Sequence, residues 1–550
     1  MILKKKFFIP SVADMIFLSI FLYLCLSQGG QLLGDCDTGY HIRAGEWILD
    51  HWSIPRTDIF SFHSPPIPWT AHEWLSEVIM AVIHNFSGLT GVVVFFTFLL
   101  ALTFYLLFLS IRKSGGNIPT AVLIVLLATA ASQIHWLARP HVFSLLLFFI
   151  WYRILDEYRD GSRNRLYLLA PIMLLWANLH GGYLLGFMLL AIFLTGEVPA
   201  ALSPDQGTRV IAVGRLKRLL MISLLSLAAA CVNPFGWHIL LFPFNLVSNK
   251  LIMDNVSEFL SPNFHEPSPF KYLLLLLMVV LAASRERLRL TDLLLILVFL
   301  NMSLYSVRYI TLFSIIVAPI LVRGTDVLLT GSGGRLAVAI RKRTHNLDAV
   351  DREAGGVIWP ILALLAVSGG VWVGSIHYEF NPEKKPVAAV RFLEKNHISG
   401  NVFNNDEFGD YLIYATWPRY RVFFDGRSDM YGSDRLKEYI KVRSFQDGWE
   451  KILDKYRIEW VFFDTDSHLA RYLKEKKDWK LLYQDKVASI FVRDTFIPSN
   501  DLRRPTRSGE TKSFSPAGEG DSEWRHEREE DDLNGKEELA RHDETAEFQQ

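Results

Sequence analysis

Long apolar runs dominate the chain from about residue 11 to residue 375, separated by short polar stretches. From 380 to 495 the pattern shortens to brief apolar strings and amphipathic periods, and from 498 onward almost every residue is polar. A helix that crosses the hydrocarbon layer needs about 20 mostly apolar residues. The runs at 11–33, 89–111, 118–136, 141–155, 166–180, 182–200, 218–233, 270–284, 290–306, 309–323 and 356–376 each read as a span, which makes about eleven. The stretch 380–495 reads instead as α/β. Helices are predicted near 386–396, 434–442, 448–456 and 467–476, with strands at 401–404, 421–425, 459–464 and 489–493.

Charge orients these spans. Lysines and arginines concentrate in cytoplasmic loops of membrane proteins. Basic residues cluster at Lys4–Lys6, Arg112 and Lys113, 153–165, 209–218, 285–289 and 323–352. The alternate loops hold Arg43, Arg56, Arg139, Lys250 and Arg308. The asymmetry predicts a cytoplasmic N-terminus, an outer first loop over 34–88 and an outer C-terminal domain. The expected fold is a polytopic α-helical membrane protein over 1–376, with a small extracytoplasmic α/β domain over 380–495. Gly331–Gly334 reads as a flexible linker, and 498–550 as a disordered charged tail. The basic start and apolar first run could pass for a cleaved leader, but no small-x-small site follows, and the chain continues as a polytopic one.

Composition fits this picture. Of 550 residues, 50% are hydrophobic and 21% are charged, with a mean hydropathy of +0.21. The 57 basic residues balance 57 acidic ones, which argues against a nucleic-acid binder. Three scattered cysteines exclude a disulfide scaffold and a zinc ribbon.

The candidate chemistry lies at the outer surface. Gly34-Asp35-Cys36-Asp37-Thr38-Gly39-Tyr40-His41-Ile42-Arg43 follows the first span, and 40–50 has the spacing of an amphipathic helix that lies in the interface. Asp35 and Asp37 either cap that helix or act chemically. Company from His41, Arg43, His72 and Glu73 in one loop favours chemistry, because polar groups clustered near lipid are costly unless used. Trp47, Trp52, Trp69 and Trp74 suit an aromatic belt and equally a sugar-stacking surface. Later outer helix ends add Arg139 and His141, Asn178 and His180, Asn233 to His238, Glu258 and His265, and Arg308. Together they suggest one extracytoplasmic site built from many helix ends. In the soluble stretch, Phe424 to Tyr431 follows a predicted strand and is read as a plain turn before a ligand contact.

With the Asp35-Cys36-Asp37 acids, a two-helix first outer loop, an odd span count and an outer C-terminal domain, the chain resembles the GT-C superfamily of polytopic glycosyltransferases. The resemblance covers nearly all of 1–495, and it points to the bacterial branch that uses lipid-linked sugars. It implies transfer, with inversion, of a sugar from a polyprenyl-phosphate donor to an extracytoplasmic acceptor, in the bacterial inner membrane. The Trp-Trp-Asp signature of oligosaccharyltransferase catalytic subunits does not occur, which argues against asparagine as acceptor. Within that chemistry Asp35 and Asp37 are the candidates for base or for ligands of a divalent metal (Mg or Mn). The scarce outer cations Arg43, Arg139 and Arg308 are candidates for the departing phosphate, against snorkelling or ion pairing. His41, His72, Glu73, His141, Asn178 and His180 complete the expected substrate-binding set. A surface-polysaccharide polymerase or ligase is a neighbouring enzymatic reading. A transporter or non-catalytic scaffold is the alternative of another class, and the near absence of charge in mid-span argues against a transporter.

Overall fold

The computed structural model describes residues 8–283, 287–331, 335–354 and 358–494. The predicted linker residues 332–334 and the predicted disordered tail lie outside the described residues.

Helices α1 (Val12–Tyr23), α2 (Asp37–His51), α3 (Trp74–Lys113), α4 (Ile118–Ser132), α5 (His141–Arg159), α6 (Leu169–Leu179), α7 (Leu184–Ala201) and α8 (Gln206–Ala230) follow in order. Two short helices, α9 (Phe242–Ser248) and α10 (Lys250–Asn255), lead to α11 (Pro269–Ala283), α12 (Leu290–Tyr305), α13 (Ile310–Gly331), α14 (Arg335–Glu353) and α15 (Ile358–Trp372). Ser11 starts α1 with a reciprocal capping box to Asp14, and π and 3-10 turns extend the helical stretch to Leu33.

Among the described residues five stretches are long and apolar enough to cross a membrane: Val12–Leu33, Trp74–Lys113, Ile118–His135, Gly181–Ala201 and Val307–Leu329. Leu166–Leu179, Pro269–Ala283, Leu290–Tyr305 and Ile358–Trp372 are apolar but shorter. Two predicted spans, 141–155 and 218–233, fall on α5 and α8. Charge dilutes both helices, through Arg153, Asp156, Glu157 and Arg159 in α5 and Arg209, Arg215, Lys217 and Arg218 in α8. The second predicted span also begins earlier than its apolar run. α3 starts at Trp74 and is broken at Gly88, where φ is 61°, a conformation that suits glycine. Leu123, Leu224, Met278, Leu297 and Leu365 point outward from their helices and are exposed, a surface suited to lipid.

Ion pairs lock the end of the bundle that the basic loops predict to be cytoplasmic. Buried Arg159 donates to Asp156 at 2.5 Å and to Asp292 at 2.7 Å, and Arg323 donates to Asp292 at 2.9 Å. These bonds tie α5, α12 and α13 together, and they satisfy charges that could not be left bare there.

The soluble part contains α16 (Val387–Lys395), β1 (Asn401–Asn404), α17 (Asp406–Thr416), α18 (Ser428–Arg443), α19 (Trp449–Lys455), β2 (Ile458–Asp464), α20 (His468–Glu475), β3 (Trp479–Gln484) and β4 (Ala488–Arg493). The sheet order is β1-β2-β4-β3, with β1 and β2 parallel and the other pairs antiparallel. Its centre is apolar on both faces at Val461, Phe462, Ile490 and Phe491. Residues 421–425, predicted as a strand, do not join the sheet. Val422 instead exchanges backbone hydrogen bonds with the loop between α2 and α3, donating to the Phe60 carbonyl at 3.1 Å and accepting from Phe62 N–H at 3.3 Å. The Asn404 side chain satisfies Phe423 N–H and the Phe424 carbonyl. This segment therefore ties the soluble sheet to the loop that carries the candidate acids. α17 packs on α2.

Candidate functional site

Asp35 lies in the bend that ends the first helical stretch, and Asp37 is the first residue of α2. The turn 135–141 is pinned against them. Ala138 N–H donates to the Leu32 carbonyl at 2.8 Å, and Thr38 Oγ1 donates to the Ala138 carbonyl at 3.1 Å. That places Arg139 among three carboxylates. Its Nη1 is 2.8 Å from Asp35 Oδ2 and 2.7 Å from Glu258 Oε1, and its Nη2 is 2.6 Å from Asp37 Oδ2. Asp37 makes no capping bond to α2, whose N-cap is Cys36. The Asp37 carboxyl group faces the Arg139 guanidinium instead. Arg308 stands at 4.0 Å from Glu258 and over the Phe259 ring at 4.8 Å. His135 Nε2 lies 3.4 Å from Glu258, and its ring stacks on His141 at 4.3 Å.

Residues of the α/β part stand against these acids. Asp410, on α17, accepts from Gly426 N–H at 2.9 Å. A Cβ at Gly426 would stand 2.8 Å from Asp37 Oδ1, so the glycine lets the backbone come against that carboxylate. Beside it Arg427 is buried, paired with Asp58 at 2.8 Å and Asp425 at 2.6 Å, and lies over the Trp69 ring at 4.6 Å.

Electrostatics divides the acids. Burial pushes Asp37 up to about 8, with Asp35 and Glu258 adding to the shift and Arg139 opposing it. Burial and the neighbouring Asp37 raise Asp410 well above the carboxylate range. Burial works the same way on Glu258, but Arg139 and Arg308 outweigh it and hold that group below its ordinary range. One recess therefore holds a carboxylate whose proton affinity is lowered beside two in which burial raises it.

One helical turn along α2 from Asp37, His41 begins a second cluster. Glu73 gathers His41 at 3.8 Å, His72 at 3.7 Å and His180 at 3.4 Å, and Glu77 holds the other side of His41 at 3.2 Å. Asn178 is used elsewhere. It accepts from Trp74 Nε1 at 2.9 Å and donates to the carbonyls of Leu174 and Val232, which joins α3, α6 and the end of α8. A shallow apolar cleft of about 490 Å³, lined by Trp74, Pro171, Leu174, Asn178 and Pro234 among others, opens there. Arg43 is also spent outside the recess, on Glu46 at 2.6 Å and the Tyr414 carbonyl at 2.7 Å.

Of the residues singled out in the sequence, Asp35, Asp37, Arg139 and Arg308 come together, and His41, His72, Glu73 and His180 form the adjoining cluster. His141 stands behind His135, while Arg43 and Asn178 point away. Sequence reasoning named Glu258 without choosing it, and it missed Glu77, Asp410 and the approach of Gly426. The signal for Asp410 was present: Asn405 caps α17, and Asp406 and Glu407 fill its first turn.

No family model and no curated protein sequence matches the chain. Solved structures do. The oligosaccharyltransferase of Archaeoglobus fulgidus in its apo form superposes with a TM-score of 0.52 at 10% identity, over 84% of this chain and 70% of that one. ArnT of Cupriavidus metallidurans bound to undecaprenyl phosphate gives a TM-score of 0.46 at 13% identity, over 88% of this chain and 99% of that one. The chain is thus similar in fold to the archaeal oligosaccharyltransferase.

Proposed function

We propose that the chain is a membrane glycosyltransferase that moves a sugar from a polyprenyl-phosphate donor to an acceptor outside the cytoplasm. The observation that carries this reading is the recess itself: Asp35, Asp37 and Glu258 converge on Arg139 at the end of apolar helices, with Asp37 raised to about 8. A base whose proton affinity lies near the working pH is well matched to deprotonating a hydroxyl in the transition state. In this reading Asp37 takes the proton of the acceptor hydroxyl while its oxygen attacks the anomeric carbon. The bond from that carbon to the phosphate oxygen breaks, the phosphate leaves with the electron pair, and the configuration inverts.

Arg308 is the cation best placed to receive the phosphate. It is the least committed of the three candidate arginines, whereas Arg43 and Arg139 already hold carboxylates or carbonyls at 2.8 Å or less. The apolar cleft beside Trp74 and Asn178 suits a polyprenyl chain. Asp35, Asp37 and Glu258 present carboxylate oxygens within 4.8 Å of one another. Asp35 Oδ1 is buried without a hydrogen-bond partner, whereas Arg139 already holds an oxygen of each acid, so a hard divalent cation such as Mg²⁺ or Mn²⁺ would have to share the set with that guanidinium. Such an ion would supply charge stabilisation to the leaving phosphate. The reading sets the protein in a bacterial inner membrane, with its N-terminus cytoplasmic and its soluble part outside.

The test uses the full chain in lipid nanodiscs with a panel of polyprenyl-phosphate sugars, and follows release of the polyprenyl phosphate. Asp37→Asn should lower turnover by about 10²–10⁴-fold while the protein remains folded. Release at the wild-type rate by that variant would sink the assignment.

A further inference from the structure

A buried lysine reaches the bend that carries the first two acids. Lys385 is 6% exposed, and an ammonium withdrawn from water is tolerated only where its charge and its hydrogens are used. Its Nζ donates to the Gly34 carbonyl at 2.6 Å and pairs with Glu407 on α17. Gly34 directly precedes Asp35. The backbone at Lys385 is itself fixed. Its N–H donates to the Asn381 carbonyl at 2.8 Å, and Phe380 packs edge-on against Tyr411 and Tyr414 of α17, each at 5.4 Å. Helix α17 thus reaches the acids by two routes. Asp410 binds the Gly426 backbone that stands against Asp37, and Glu407, one turn earlier, holds the lysine that holds Gly34. The turn 135–141 grips the same bend, through Ala138 N–H on the Leu32 carbonyl and Arg139 on Asp35 and Asp37. Cys36, between the two acids, is 0% exposed.

We infer that Lys385 is a positioning residue for Asp35 and Asp37, its bond to the Gly34 carbonyl fixing the bend from the side of the α/β part as the turn 135–141 fixes it from the side of the helices. The assignment rests on the reading of these acids as the reacting groups. Lys385 acts through the backbone. A carbonyl held at 2.6 Å by a charged donor restricts the peptide that follows it, and that peptide sets the direction of the Asp35 side chain. Arg139 depends on that direction. Its Nη1 meets Asp35 at 2.8 Å while its Nη2 meets Asp37 at 2.6 Å, a double contact that needs both carboxylates in place. Glu407 balances the ammonium, so the tie leaves no net charge in the interior. The lysine's hydrogens are spent on Gly34 and Glu407, which separates its role from that of Arg308, the cation left for a phosphate.

The experiment reads the bend through Cys36. The full chain in detergent is labelled with N-ethylmaleimide and followed peptide by peptide, with Cys25, 1% exposed, as the internal control. Both thiols should be protected in the wild type. Lys385→Met should let Cys36 react about tenfold faster or more while Cys25 stays protected. Lys385→Arg, which keeps the charge and the donors, should recover part of that protection. In nanodiscs Lys385→Met should lower kcat for polyprenyl-phosphate release by about 10²-fold at an unchanged KM. One measurement needs no variant to fold: an amine-acylating reagent on the wild type should modify exposed Lys384 and spare Lys385. The proposal is overturned if Lys385→Met protects Cys36 as well as the wild type does, if Cys25 is released together with Cys36, or if Lys385 is modified as fast as Lys384. Full turnover by a variant whose Cys36 has become reactive overturns it too. A wild type that releases no polyprenyl phosphate strikes the proposed function instead, and the labelling still decides whether Lys385 holds the bend.

Discussion

Asp37 has a mostly buried side chain, 14% accessible, and pairs with a guanidinium that cannot fully offset its burial and its acidic neighbours. Its proton affinity rises from 3.8 to about 8. Between those values the folded chain keeps a proton that the unfolded chain has released, so the folded state binds more protons. Raising the pH through that window therefore removes stability. The unfolding midpoint of the wild type should fall as pH rises from about 4 to about 8, and Asp37→Asn should flatten that fall in thermal scans. Activity should run the other way over the same range, since the base works only when it has lost its proton. A pH–rate profile that is flat from 5 to 8, while stability responds as stated, would separate Asp37 from the proton transfer.

At the scale of elements, α2 lies between α3 and α17, and two glycines set both distances. A Cβ at Gly45 would fall 1.9 Å from the Glu77 carbonyl oxygen, and one at Gly39 would fall 2.6 Å from Tyr414 Cβ. Gly45→Ala must push α2 from the backbone of α3, with an overpacking cost of about 1–3 kcal/mol. A lowered unfolding midpoint together with slower transfer is the expected result. Wild-type stability in that variant would show that the close approach does not matter. The same sandwich explains why the amphipathic period of 40–50 was only half informative. It predicts one apolar face for lipid, but Ile42, Ala44 and Ile48 are buried in protein.

For the whole molecule, two predictions concern which parts face which side and which parts work together. Reporter fusions after Arg112 and after Lys385 should report opposite sides of the membrane, as the loop charges require. The same side for both would remove the outer placement of the recess. In sequence, the polar loops of the α/β part show no clustered acid and base. In the folded chain that part brings Asp410 and Gly426 against Asp37. Asp410→Ala in the full chain should therefore cost about 10²-fold in turnover through misplacement of Asp37, measured as phosphate release. Unchanged turnover would give the α/β part an accessory role.

The sequence by itself determined what depends on neighbours along the chain. Apolar length marked the helices, alternating short apolar strings marked β1, β2 and β4, and the Asp35-Cys36-Asp37 acids marked the loop after α1. These signals are local because hydrophobic burial and helix periodicity act over a few turns. Tertiary structure decided which of the polar helix ends meet. Arg139 and Glu258 are 119 residues apart and share a bond of 2.7 Å. Arg43 looked equal to Arg139 in sequence, yet Glu46 and the Tyr414 carbonyl claim it. Residues 421–425 have strand composition, but their hydrogen bonds go to Phe60, Phe62 and Asn404, so they become a tie to the outer loop. Partner choice of this kind depends on distances across the fold, and residue type along the chain does not encode it.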